Sequence, residues 1–282
     1  IEVLEKVHDH HYLTFLKSLA QSIPDTGYHF PVDFYPKQDK RFTNYLASLG
    51  TYSLDTYTPV NGSIFTNVYN SAQVAYTAAK VTKKNKSTSY ALCRPPGHHA
   101  MRSYMAGYCY LNNAAIAAEY LSQFGTVTIL DIDYHHGNGT QDIFYERDDV
   151  LTISIHANPE YAYPYFWGFK EEKGEGRGVG KNINIPLESG TTDSIYNGAL
   201  EFALKKISQF APSYLVVSLG VDTYKRDLLG DFKLTTEYYQ KMAALIHQLH
   251  LPTTIIQEGG YHEEIGKNVV SFLKGFLEES YT

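Results

Sequence analysis

The stretch Leu130 to Gln141, LDIDYHHGNGTQ, decides how this chain is read. It sets Asp131, Asp133 and His135 at alternate positions. A β-strand projects alternate side chains to one face. The run before it, Val127-Thr128-Ile129-Leu130, is apolar and β-branched, as a buried strand is. The spacing therefore predicts a strand over Val127–Asp133 that delivers three metal-ligand side chains to one side of its end. A Gly-rich turn should follow at Gly137 and Gly139. Oxygen and imidazole donors together suit zinc or another first-row divalent ion. The competing reading is a strand-end turn whose aspartates bond backbone amides.

Outward from this stretch, strand-like runs at Tyr90–Cys93, Val150–His156, Tyr214–Leu219 and Thr253–Gln257 alternate with helical patterns. The helical patterns cover Val3–Ser22, Ser71–Lys83, Asn113–Gln123, Asp193–Gln209, Thr236–Leu249 and Glu263–Glu279. Strands separated by helices predict an α/β chain whose central parallel sheet is flanked by helices on both faces. In such sheets ligands bind at the carboxyl ends of the strands. No stretch of the 282 residues reads as a linker or a repeat, so one domain over residues 1–282 is expected. The net charge of −6 argues against a nucleic-acid partner and is compatible with a cationic substrate. No apolar run approaches a membrane span, and the opening IEVLEKVHDHH lacks the basic start and apolar core of a signal peptide. Only two cysteines occur, Cys93 and Cys109, which fits a reducing cytoplasm.

Four of the strand-like runs end in chemically loaded sequence. Tyr90–Cys93 runs into RPPGHHA with His98 and His99, and Tyr214–Leu219 runs into GVDTYKRD with Asp222. Thr253–Gln257 runs into EGGYH with Tyr261, and the opening stretch ends the fourth. Taken singly, a His pair in a Pro-Gly turn is often only a turn, and a strand-end Asp is often a helix cap. Their common position on one rim changes the balance. Asp133, His135 and Asp222 would supply three ligands and leave a position open, which is the catalytic kind of metal site. His98 and His99 would serve as general base and general acid. Tyr261 would donate a hydrogen bond to a developing oxyanion. No G-x-S-x-G elbow occurs, so attack by metal-activated water on an amide or ester is favoured over covalent catalysis.

These residues bring a family into view. RPPGHHA, GYCYLNNAAIAA, LDIDYHHGNGTQ, SLGVDT and EGGYH resemble, in order, the motifs of the zinc-dependent histone deacetylase superfamily of the arginase–deacetylase fold. PEYAYPYFWG (Pro159–Gly168) and EGGYHEEIGKNV (Glu258–Val269) are most similar to the bacterial acetylpolyamine amidohydrolases. Residues 1 to 86 match only loosely. The resemblance implies zinc on Asp133, His135 and Asp222, with iron compatible with the same ligands. It implies His99 as general base, His98 as its electrostatic or acid partner and Tyr261 as the residue that polarises the scissile carbonyl. Asp131 would orient His98 and, with Ser154, contribute to a structural potassium site. Asn138 would contact His99. Gly107, Tyr108 and Tyr163 would wall a substrate tunnel, with Cys109 near its inner end.

One departure concerns specificity. Leu229, seven residues past Asp222, stands where the polyamine-specific eukaryotic branch carries an acidic gatekeeper. Asp227 and Asp231 are the carboxylates near it in sequence, and either is expected to attract a second ammonium in its place. The expected activity is removal of acetyl groups from acetylpolyamines or related small cationic N-acetyl amines. The alternatives are a protein acetyl-lysine deacetylase, a two-manganese arginase-like hydrolase and a non-catalytic protein that binds acetylated ligands. The resemblance also implies a homodimer in which a loop narrows the entrance.

Overall fold

Short β-branched runs that alternate with amphipathic helices form one open sheet of six parallel strands, with helices on both faces. The computed structural model describes residues 2–32, 44 and 46–277. The strands are β1 (Ser89–Ala91), β2 (Val127–Asp131), β3 (Val150–Ala157), β4 (Asn182–Leu187), β5 (Tyr214–Leu219) and β6 (Thr253–Gln257). The α-helices are α1 (Leu4–Val7), α2 (His10–Ser22), α3 (Ile64–Asn85), α4 (Asn113–Ser122), α5 (Asn138–Phe144), α6 (Asp193–Phe210), α7 (Thr236–His247) and α8 (Ile265–Gly275). Successive residues of β2 serve opposite faces. Val127 and Ile129 join the apolar cluster shared with α2, α3 and α4, and Leu130 joins the one shared with α6, α7 and α8.

Strand order places the site. The strands lie in the order β1-β6-β5-β2-β3-β4. The chain runs from β2 outward through β3 and β4, then returns to β5 on the other side of β2. Connections from β2 and β5 therefore leave in opposite directions and open a crevice at their carboxyl ends, where ligands bind in open α/β sheets. The register pairs Asp131 with Ser218, so Asp133 and Asp222 both lie just beyond this junction.

Where structure and pattern differ, tertiary contacts explain it. The helix expected over Val3–Ser22 is two, α1 and α2, broken at His8 and Asp9. His8 Nδ1 lies 3.0 Å from the Met101 carbonyl, and the Asp9 amide donates to Arg102 O at 3.0 Å. Strand β4, NINIPL, was not expected because Asn182, Asn184 and Pro186 interrupt its apolar run. It is an edge strand, where Pro is tolerated, and both Asn amides donate to Gln141 Oε1 at 2.8 and 2.9 Å. The expected Gly-rich turn is largely α5, with Gly137 at its start. β2 ends at Asp131, so Asp133 and His135 lie in the loop beyond it and not on a strand face. The last helix is observed as Ile265–Gly275, and its expected continuation past residue 277 lies outside the described residues.

Candidate active site

Three loops converge at the β2–β5 crevice. Asp133 and His135 follow β2, Asp222 follows β5, and their ligand atoms lie within 4.8 Å of one another. His135 Nδ1 is 3.0 Å from Asp222 Oδ2 and 3.3 Å from Asp133 Oδ1. Backbone amides hold the remaining oxygens: Gly259 N donates to Asp133 Oδ2 at 2.9 Å, and Tyr134 N to Asp222 Oδ1 at 2.8 Å. A Cβ at Gly259 would stand 2.7 Å from an oxygen of each aspartate, so only glycine permits this approach.

The electrostatics of the trio call for a cation. Burial and the neighbouring Asp133 push Asp222 up to about 7. Burial opposes protonation of His135, yet hydrogen bonds to Asp133 and Asp222 raise it to about 9. Two fully buried carboxylates with one imidazole thus attract positive charge, and their donor set fits a divalent first-row metal.

The tandem histidines lie beside this trio in the loop after β1. Glu258 Oε2 accepts from Gly97 N at 2.7 Å and His98 N at 3.2 Å, which ties the HH loop to the loop after β6. His98 Nδ1 is 2.9 Å from Asp131 Oδ2, and His99 Nδ1 is 2.7 Å from Asn138 Oδ1. A carboxamide oxygen can only accept, so His99 carries its proton on Nδ1 and leaves Nε2 free to take one. Burial, then the charges of His98 and His135, hold His99 well below its ordinary value. Burial disfavours charge on His98 too, but Asp133 and Asp131 raise it well above that value. Adjacent histidines are thereby driven apart, one neutral and one cationic. Tyr261 is kept protonated by burial and by Asp222 and Asp133, so its hydroxyl stays a donor.

A cavity of about 260 Å³ leads to these groups, lined by Tyr57, Gly107, Tyr108, Tyr163 and Leu229, with His99, His135 and Tyr261 at its base. Gly107 and Tyr108 both adopt left-handed backbone, at φ 53° and 66°. A non-glycine residue in that region costs on the order of 1 kcal/mol, and here it presents the Tyr108 ring to the cavity. Tyr163 stands edge-on to His99 at 4.9 Å.

The structure therefore brings together His98, His99, Asp133, His135, Asp222 and Tyr261, with Asp131 and Asn138 behind the histidines. Asp131 and Ser154 sit opposite each other in the β2–β3 register, beside a cavity of about 10 Å³ that also touches His136 and Thr140. Ser154 Oγ bonds His156 Nδ1 at 2.7 Å. Cys109 and Cys93 are buried free thiols. Neither carboxylate near Leu229 is free. Asp227 accepts from Leu229 N at 2.9 Å and from Tyr261 N at 2.7 Å, and Asp231 bonds the hydroxyls of Tyr134 and Ser189. The sequence assigns no role to Glu258, Asp55 or Tyr57, and Asp227, expected to attract a second ammonium, instead holds backbone amides. Glu258 acts through the amides of Gly97 and His98, 161 and 160 residues away, and Asp227 reaches Tyr261 N across 34 residues, for which no local pattern exists.

The chain has relatives among known proteins. Residues 1–275 match the histone deacetylase domain. Acetylpolyamine amidohydrolase 1 of Pseudomonas aeruginosa is 45% identical, with 98% of this chain and 82% of that protein covered. The acetylpolyamine amidohydrolase of Mycoplana ramosa is 40% identical over 98% of this chain and 83% of that protein. The crystal structure of acetylpolyamine aminohydrolase from Burkholderia pseudomallei superimposes with a TM-score of 0.93 at 40% identity, covering 98% of this chain and 82% of that one.

Proposed function

We propose that this chain, which belongs to the histone deacetylase family, is a metal-dependent deacetylase that hydrolyses the acetyl amide of acetylpolyamines. The observation that carries the reading is the meeting of Asp133, His135 and Asp222 at the floor of a tyrosine-walled cavity, beside His98 held by Asp131 and His99 held by Asn138. Two carboxylates and an imidazole with an open side suit zinc, and ferrous iron takes the same donors. The matched residues 1–275 and the single sheet favour one catalytic domain.

A divalent ion held by the trio supplies Lewis acidity to the amide carbonyl and to a water. The chain's own residues do the rest. Tyr108 and Tyr163 line the methylene stem of the substrate and exclude water from it. His99 Nε2 accepts the proton that the attacking water loses, and Tyr261 donates to the carbonyl oxygen as negative charge grows there. Cationic His98, oriented by Asp131, stabilises that charge. As the C–N bond breaks, the amine nitrogen takes up a proton from the histidine pair, and acetate and free amine leave.

Asp131 and Ser154 suit a structural potassium ion beside the small cavity they line. Among the described residues no helix is long and apolar enough to cross a membrane, and two free buried thiols fit a cytoplasmic setting. A homodimer is the assembly we assign, and sedimentation tests it. The substrate reading predicts faster hydrolysis of N-acetylputrescine or N-acetylspermidine than of an acetyl-lysine peptide. A peptide turned over far faster than either would overturn it.

A further inference from the structure

A second ammonium on the substrate needs a partner, and the described residues that line the cavity include no carboxylate. Twelve residues line the cavity, and seven of them are tyrosines, with no Asp, Glu, Lys or Arg among them. Leu229 is apolar, and Asp227 and Asp231 are already engaged by the bonds described above. What the mouth does offer is π surface. The ring of Tyr57 stands edge-to-face to Tyr108 at 6.0 Å and to Tyr163 at 5.8 Å, so it forms a third wall between them. It is 41% exposed, although its neighbours Asp55 and Thr58 are buried, which is the exposure of a ring turned to a cavity and not to the core.

Asp55 builds this wall. The residue is 7% exposed, and its carboxylate accepts five donors. Oδ1 takes Tyr57 N at 3.1 Å and Thr58 N at 2.8 Å, a turn that fixes the backbone carrying Tyr57. Oδ2 takes Thr58 Oγ1 at 3.0 Å, Gly107 N at 2.7 Å and Tyr163 OH at 3.1 Å. One carboxylate therefore fixes all three walls. It also places an acidic group at the Tyr163 hydroxyl and at the backbone that carries Tyr57 and Tyr108, where it adds to the attraction for a cation. Ammonium groups bind over tyrosine faces, most strongly where water is partly excluded.

We propose that Tyr57 is a specificity-determining residue that holds the substrate's distal ammonium against Tyr108 and Tyr163, and that Asp55 is the positioning residue of this aromatic cage. The proposal rests on the deacetylase reading of the site and adds how a polyamine is told from an uncharged amide. The test compares N-acetylputrescine with N-pentylacetamide, in which a methyl group replaces the ammonium. Tyr57→Leu lowers the ratio of kcat/KM for the charged over the neutral substrate about tenfold, and Tyr57→Phe, which keeps the ring, preserves that ratio. Asp55→Asn raises KM more than it lowers kcat and reduces the same ratio. An unchanged ratio in Tyr57→Leu overturns the cage. Calorimetric binding of putrescine, which needs no turnover, reads the cage even if the deacetylase reading fails. There Tyr57→Leu weakens affinity about tenfold, and equal affinities overturn the proposal.

Discussion

Gly107→Ala separates the geometry of the general base from the stability of its loop. Gly107 has φ 53°, and a Cβ built there would stand 2.8 Å from His99 Cγ and 3.0 Å from Nε2. Carbon contacts settle near 3.5 Å or beyond, so the ring must retreat by roughly 1 Å or the loop must shift. The left-handed backbone alone costs about 1 kcal/mol for alanine. A displacement of that size in a catalytic group lowers rate about 100-fold. Gly176→Ala is the matched control. Its φ is 55°, and its Cβ would meet nothing within 4 Å. Both variants should lose a few degrees of Tm, about 2–4 °C per kcal/mol for a chain of this size. Only Gly107→Ala should lose kcat, by about two orders of magnitude. Thermal melts and steady-state kinetics on an acetylpolyamine decide it. If Gly107→Ala kept wild-type kcat, His99 could not stand against that backbone as the base.

Tyr261→Phe should lower kcat by about 10²- to 10³-fold with little change in KM, because the hydroxyl acts where charge develops, and a variant with undiminished kcat refutes that role. Chelation should abolish activity and zinc should restore it, with a lower Tm in between. Asp222 is pushed up to about 7 by burial and by Asp133, so Asp222→Asn relieves a buried charge conflict when the cation is gone. The variant should be inactive, yet once chelated it should melt no lower than the chelated wild type at pH 8. A clearly lower Tm contradicts this account of the site. His8 is fully buried, and burial holds it at about 4 against an ordinary value of 6.5. Between those two pH values the unfolded chain binds a proton that the folded chain refuses. Stability therefore falls as pH drops from 6.5 through 4, by up to about 3 kcal/mol from this residue. Denaturant midpoints across that range should slope less in His8→Asn, and parallel slopes would dismiss the residue as a source.

What could be read in advance follows from how far apart the interacting groups lie along the chain. The β2 core strand announced itself because burial on both faces demands a continuous β-branched run, and its end announced chemistry because Asp131, Asp133 and His135 are neighbours in sequence. Equivalence of the three does not follow from that spacing. The strand stops at Asp131, whose Oδ1 accepts the Asp133 amide at 3.1 Å, and the chain turns there. Alternation therefore no longer decides where the next side chains go. Asp131 is left facing His98, while Asp133 and His135 swing to meet Asp222 from the adjacent strand. The strand order that makes β2 and β5 neighbours has no local signature, since it is set by which way each crossover helix packs. Asp55 was less legible still. Its local bonds to Tyr57 N and Thr58 read only as a turn, and its reach to Gly107 and Tyr163 spans 52 and 108 residues. In sequence Asp55 reads as an Asx turn, and nothing local marks the distant loop and ring that its second oxygen holds. Further specificity residues of this kind would lie at buried polar side chains that fix an aromatic wall from behind, without touching substrate.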